Sequence, residues 1–365
     1  MKNYLDFEQD IKNLENQLEK LKDPFSQEGI SEINTKKIQE IQNEVDKKLQ
    51  NIYSNLSNWQ KTQVARHEGR PKSIFFIENL FSNFINLSGD RNFADDQSVI
   101  AGFATFEGQS ILVIGQEKGD DIDSRIKRNF GMMKPEGYRK CIRLMKLADK
   151  FNIPIVFFVD TPGAYPGVGA EQRGQAEAIA SSIECSMSLQ VPTITFIIGE
   201  GGSGGAVALT STNKIIMLEN SIYSVISPEG CASILWRDPA KCLEAAEAMK
   251  LSAKDLLKHG IIDEVITEPI GGAHRDRENV LDKIKDSLKN SLNEFKNFSR
   301  QEIYDHRKLK FLKIGREKGF ISSTSDQYKL TTKENIYLKI SRFFQKNKKI
   351  IIIFLIFILG LLFTL

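Results

Sequence analysis

The chain has 365 residues, 41% hydrophobic and 27% charged, enough to bury one large core with an arm or tail to spare. Its 50 basic residues stand against 47 acidic ones, and the resulting formal charge of +3 gives no field that would draw a nucleic acid. Cys141, Cys185, Cys231 and Cys242 form no C-x-x-C pair and have no histidine at zinc-ligand spacing, which argues against a metal site and fits buried thiols in a reducing compartment. The first residues carry neither a secretory nor a transit signal, so the cytosol is the expected site of action.

From 5 to 21 the residues Ile11, Leu14, Leu18 and Leu21 step by three and four until Asp23-Pro24 breaks the pattern, which predicts an amphipathic helix. A second helix is predicted by Ile38, Ile41, Val45, Leu49, Ile52, Leu56 and Trp59. Together they define an N-terminal helical hairpin over 1–65, with too little core of its own to stand without the rest of the chain or a partner subunit. Near Val99 short strands begin to alternate with helices, the mark of an α/β body assigned to 66–318. Residues 153–160 read as a buried strand followed by a turn-rich stretch and a helix over about 171–189; 193–199 repeats the theme, with a helix starting near Ser203.

Strands are expected at 214–218 and 222–226, and Ser227-Pro228 opens the next helix. Ser252 and Asp255 suit a helix start, with Gly260 just past the end of that helix. Residues 279–316 read as a charged, solvent-facing helical region, and 319–345 as a polar linker. The tail, 346–365, places Lys346, Lys348 and Lys349 before an uncharged apolar run over 350–365. As a helix that run would be roughly 24 Å long against a hydrocarbon core of roughly 30 Å, which favours a shallow membrane anchor or a terminus covered by protein.

The sequence Gly199-Glu200-Gly201-Gly202-Ser203-Gly204-Gly205 leaves a predicted strand and opens a helix, where backbone N–H groups converge and the helix dipole favours negative charge. Such a loop suits an anion or an oxyanion, or simply tight strand-to-helix packing. It also fits two other patterns. Gly199, Gly201 and Gly204 with Glu219 satisfy a dinucleotide fingerprint. Gly201, Ser203 and Gly205 satisfy a nucleophile elbow, with His259 or His274 as base and Asp238 or Asp255 as orienting acid. A second glycine loop, Asp160-Thr161-Pro162-Gly163-Ala164-Tyr165-Pro166-Gly167, leaves the preceding strand at what would be the same sheet end. Two adjoining loops of amides suit a reaction in which negative charge develops on carbonyl oxygens.

The motifs LDFE at Leu5, ARH at Ala65, GDR at Gly89, RNFGM at Arg128 and PEGYRK at Pro135 recur with DTPGAYPGVGAE at Asp160 and GEGGSGG at Gly199. YSVISPEGCASILW at Tyr223 and GGAHR at Gly271 complete the set. Over roughly 1–318 the chain closely resembles the carboxyltransferase alpha subunits of bacterial and plastid acetyl-CoA carboxylase; the extension after Lys318 departs from that pattern. The resemblance implies a crotonase-like superhelix of ββα units, assembled as α2β2 with the active site between alpha and beta subunits. It implies carboxybiotin presented by a separate biotin carboxyl carrier protein, ATP used only by the biotin carboxylase component, acetyl-CoA as acceptor and malonyl-CoA as product. No metal is expected here, since the zinc ribbon of that system belongs to the beta subunit.

By the same resemblance the amides of Gly204 and Gly205 stabilise the carbonyl oxyanion of carboxybiotin. Gly163, Ala164, Gly201, Gly202, Ser203, Arg128, His274 and Arg275 are the expected substrate-binding positions. Gly163 and Ala164 also suit plain packing, and His274 a structural role. The basic run Arg125, Lys127, Arg128, Arg139, Lys140 and Arg143 suits CoA phosphates, the carrier or the beta subunit, or else a solvated face. A stand-alone oxidoreductase or hydrolase, or a noncatalytic membrane scaffold, would account for only part of these features.

Overall fold

The computed structural model describes residues 3–22 and 35–315; the predicted linker and tail lie outside the described residues. An eight-stranded sheet forms the centre. Its strands are β1 (Ser82–Asn86), β2 (Val99–Phe106), β3 (Gln109–Gln116), β4 (Ile155–Thr161), β5 (Thr193–Gly202), β6 (Lys214–Leu218), β7 (Ile222–Ser224) and β8 (Glu264–Ile266). The order is β1-β2-β3-β4-β5-β6-β8, with β7 pairing the last residues of β5. β2 and β3 form an antiparallel hairpin whose two-residue turn, Glu107-Gly108, has both residues at positive φ, the geometry that matches strand twist. From β3 through β8 the neighbours are parallel. Parallel neighbours need crossovers, and the helices Pro135–Lys150, Gln175–Ser188 and Ser203–Thr210 supply them.

The apolar run in β4 is continuous because the strand is buried on both faces. Ile155, Phe157 and Val159 join one core with Tyr138, Leu144 and Ala206 from the crossover helices. Val156 and Phe158 point the other way, onto Phe76 and Ile77 of the helix Ser73–Leu80. Val280, Ile284 and Leu288 of the helix Arg277–Phe295 complete that second core, so the charged region over 279–316 is not simply solvent-facing. One of its arginines is even fully buried: Arg307 donates to the carbonyls of Leu189 (2.6 Å) and Val191 (2.9 Å) and to Asn213 Oδ1 (2.5 Å).

Two further expectations need correction. The second N-terminal helix is Thr35–Tyr53 and stops short of Trp59, because Ser57 starts a new helix, Asn58–Ala65, by exchanging hydrogen bonds with Gln60. The helix expected over 171–189 is two, Val168–Gln172 and Gln175–Ser188, separated by Gly174 at φ +79°. The N-terminal pair shares a seam of Ile11, Val45 and Leu49, and it is seated on its own chain. Arg275 pairs with Glu8 (3.2 Å) and Glu15 (2.7 Å). No helix among the described residues is long and apolar enough to cross a membrane.

Candidate functional site

β4 and β5 are parallel neighbours, so the two glycine loops leave the sheet at the same end, with Thr161 in register with Gly201. The loops then pack backbone against backbone. A Cβ on Gly202 would overlap the carbonyl of Pro162, and one on Gly205 would sit 2.5 Å from the carbonyl carbon of Gly163 and 2.8 Å from the nitrogen of Ala164. Glycine is required at both positions for that approach. Gly204 differs, since a Cβ there would meet only the Ile179 side chain, at 3.5 Å.

Side chains hold this arrangement from outside. Thr161 Oγ1 donates to the Gly163 carbonyl (2.7 Å), and the Gln116 amide donates to the Gly205 carbonyl (2.8 Å). Gln175 Nε2 donates to the carbonyls of Met133 (2.9 Å) and Tyr165 (3.0 Å), tying the 160–167 loop to the crossover helices. Ser203, Gly204 and Gly205 open the helix Ser203–Thr210, whose first N–H groups have no partner four residues earlier. Ser203 enters at φ +50°, a strained value for a residue with a side chain, which turns the chain sharply from strand to helix. The arrangement presents N–H donors at a helix start to an accessible face: Ser203 and Gly204 are half-buried while Gly205 is buried.

A charged network that motif reading passed over stands beside these loops. Lys118 Nζ lies 2.7 Å from Asp160 Oδ1 and 2.7 Å from Glu200 Oε2, and Asp160 Oδ1 also accepts the Glu200 N–H at 2.9 Å. Arg66 closes the other side, with Nε 2.6 Å from Glu200 Oε1 and Nη1 2.6 Å from Glu229 Oε1. Burial pushes the Glu200 carboxyl up, but Lys118 and Arg66 outweigh it and bring the group down to about 2. Burial pulls Lys118 down, and Asp160 and Glu200 hold it above the ordinary lysine value. One ammonium thus joins the first residue of one glycine loop to the second residue of the other. The strand order carried the signal, because 118, 160 and 200 sit at or just past the carboxyl ends of the adjacent strands β3, β4 and β5. A cavity of about 220 Å³ adjoins the network, lined by Arg66, His67, Phe130 and Pro162 among others.

Other candidate residues fall elsewhere. His274 stacks on His67 at 3.7 Å between centroids and lines a separate cavity with Asn3 and Tyr4. Burial, His67 and nearby arginines push its pKa down to about 2, so it is neutral at physiological pH. Arg275 is committed to Glu8 and Glu15, as described above. Arg128 donates to the carbonyl of Gln97 at 2.8 Å. The expected basic run does not form one face. Lys140 is buried and bonded to Asp95 and two carbonyls, Arg139 to the Arg173 carbonyl, and Arg143 to Gly89 and Ser88.

The geometry also decides between the motif alternatives. A dinucleotide pyrophosphate has no room where the 162–164 backbone meets Gly202 and Gly205, and the Glu219 carboxylate accepts the Glu268 N–H at 3.1 Å. No histidine hydrogen-bonds to Ser203 among the described residues, which leaves the elbow serine without a base; His259 lines a distant groove with Asp263 and His306. No group of three metal-ligating side chains occurs among the described residues.

Among solved structures, transcarboxylase 12S with methylmalonyl-coenzyme A and methylmalonic acid bound superposes with a TM-score of 0.51 at 18% identity. That match covers 63% of this chain and 42% of that one. The fold is therefore a crotonase-type α/β fold. The family model described as acetyl co-enzyme A carboxylase carboxyltransferase-like matches residues 4–315, and the chain belongs to that family. It is 65% identical to the acetyl-coenzyme A carboxylase carboxyl transferase subunit alpha of Pelagibacter ubique, over 98% of both chains. It is 50% identical to the subunit of that name from Beijerinckia indica, over 87% of this chain and all of the other. The Pelagibacter alignment runs over 360 residues and so into the C-terminal extension, which is not peculiar to this chain.

Proposed function

We propose that this chain is the alpha subunit of an acetyl-CoA carboxylase carboxyltransferase and that its paired glycine loops bind the carbonyl oxygen of carboxybiotin during transfer to acetyl-CoA. Membership of the family carries biotin-dependent carboxyl transfer with it, and malonyl-CoA is the product. The observation that supports the site is the backbone-to-backbone approach of Gly205 and Gly163, which fixes the helix N-terminus where no side chain intrudes. That cradle, open at Gly204, fits a flat ureido carbonyl. Carboxybiotin supplies the carboxyl group and, once that group has left, a nitrogen able to take the acetyl proton.

The chain's own part is to hold and to stabilise. The N–H groups of Gly204 and Gly205 face developing negative charge, and a single such donor is worth about 10² to 10³ in rate. Fixed donors of this kind need no reorganisation as charge develops. No side chain of this chain is assigned as general base. Gly163, Ala164, Gly201, Gly202 and Ser203 shape the cradle, while Arg128 donates to the Gln97 carbonyl, His274 stacks on His67, and Arg275 pairs with Glu8 and Glu15.

The site is open on the side where a beta subunit would close it. Ile122, Val168 and Val225 are 73%, 75% and 79% exposed, and they follow the ends of β3, of the 160–167 loop and of β7. A beta subunit seated over this side would cover them. The beta subunit, in an α2β2 assembly, supplies most of the acyl-CoA pocket; the carrier protein and biotin carboxylase act in turn, the latter alone using ATP. The body works in the cytoplasm, and the apolar run over 350–365 tethers it to the inner face of a membrane. Malonyl-CoA-dependent carboxylation of biocytin tests this assignment. Activity should require this chain and its cognate beta subunit together, and turnover by this chain alone would overturn it.

A further inference from the structure

A groove of about 1000 Å³ runs between the helices Ala253–Lys258 and Arg300–Lys313. It lies toward the sheet end opposite the glycine loops. Asp263 in its lining accepts the N–H of Ile215 at 2.7 Å, at the start of β6, whereas the loops leave the far ends of β4 and β5. The groove is basic. Asp263 is the one acid in the lining, and Lys310 already holds it while donating to the Asn213 carbonyl at 3.2 Å. Lys250, Lys258 and Lys313 line it and have no ion pair among the described residues. Beside them Leu257, Leu309 and Ile314 are 44%, 56% and 40% exposed. The described chain ends in this groove, at Gly315, and the sequence beyond it leads to Lys346, Lys348, Lys349 and the apolar run over 350–365.

We infer that this face lies on an anionic lipid surface, with Lys250, Lys258 and Lys313 against headgroup phosphates and Leu257, Leu309 and Ile314 against the acyl boundary. The inference rests on the tether proposed above and adds an orientation to it. Charge complementarity selects lipid as the occupant. The chain's own apolar run has no acid and would leave three lysines unanswered, whereas an anionic leaflet answers the lysines and the leucines together. With this face down, the glycine loops point away from the membrane and stay open to the beta subunit and the carrier.

The test uses the full chain assembled with its beta subunit, and vesicles of phosphatidylcholine alone or mixed with phosphatidylglycerol. The chain should bind both through its tail and prefer the anionic vesicles. Each lysine near an anionic surface strengthens binding about fivefold, so a Lys250→Gln, Lys258→Gln, Lys313→Gln variant should lose about a hundredfold of that preference at low salt. Its binding to neutral vesicles, its assembly with the beta subunit and its carboxyl transfer should be unchanged. Equal binding of the wild type to both vesicles would overturn the lipid face and leave the tether standing. Binding to neither would overturn the tether as well. A triple variant that no longer assembles with the beta subunit would show that this face meets protein instead.

Discussion

Gly205→Ala is expected to lower carboxyl transfer by about 10² to 10³ in the assembled enzyme, the rate attached to one misplaced oxyanion donor. The added methyl would sit 2.5 Å from the Gly163 carbonyl carbon, and both neighbours are backbone, so no flexible side chain can yield. The two loops must separate, and the helix N-terminus moves with them. Gly204→Ala is the matched control. Its methyl meets only Ile179, at 3.5 Å, an ordinary contact, and the N–H is retained. The pair should divide in kcat rather than in amount of assembled protein. Equal rates for the two variants would mean that loop contact does not position the donor.

Lys118→Met is expected to cost about 3 to 5 kcal/mol of stability, because it leaves Asp160 and Glu200 without the cation they share. Both carboxylates are nearly buried, 7% and 8% exposed, so solvent cannot replace the lost partner. Transfer should fall too, since the lysine is a positioning residue that joins the bases of the two loops. A pH signature accompanies this loss. Glu200 is lowered from an ordinary 4.5 to about 2 in the fold, so its contribution is complete above pH 4.5 and is lost as pH falls toward 2. In the wild type that loss amounts to about 3 kcal/mol. In Lys118→Met only Arg66 still lowers Glu200, and the acid limb of urea-unfolding stability should become shallower. A variant with wild-type stability and an unchanged acid limb would remove Lys118 from the account.

Local features were legible in the sequence wherever a few adjacent residues decide them. Ser227 and Ser252 cap their helices as their motifs indicate, and the helix starts at Ser203 as expected, although the strand before it runs on through Gly202 and takes in the first half of the glycine run. The periodicity through Trp59 misled because it continues across Ser57, where a capping exchange ends one helix and begins another. Charge masked two buried elements. Val280, Ile284 and Leu288 keep a clear four-residue step, yet the lysines and aspartates between them suggest an exposed helix. Arg307 is buried because three oxygens from distant positions converge on it, which no local pattern records.

The same limit hid the Lys118 network. Lys118, Asp160 and Glu200 are some forty residues apart along the chain and meet only because β3, β4 and β5 are adjacent and parallel. The glycine loops could be recognised as amide-bearing turns from sequence; their mutual contact depends on the register of Thr161 with Gly201. His274 shows the converse case. Its motif invites a chemical role, while the structure stacks it on His67 and holds it neutral.

The central claim is that backbone N–H groups at Gly204 and Gly205 stabilise the oxyanion. It is tested most directly by the kcat for malonyl-CoA-dependent carboxylation of biocytin in Gly204→Val, assembled with the beta subunit. Valine keeps the N–H and its Cβ has room beside Ile179, while its two methyls fill space that glycine leaves open to the carbonyl oxygen in the proposed site. A normally assembled complex whose kcat falls about 10² to 10³ is expected. Wild-type turnover in that complex would contradict it.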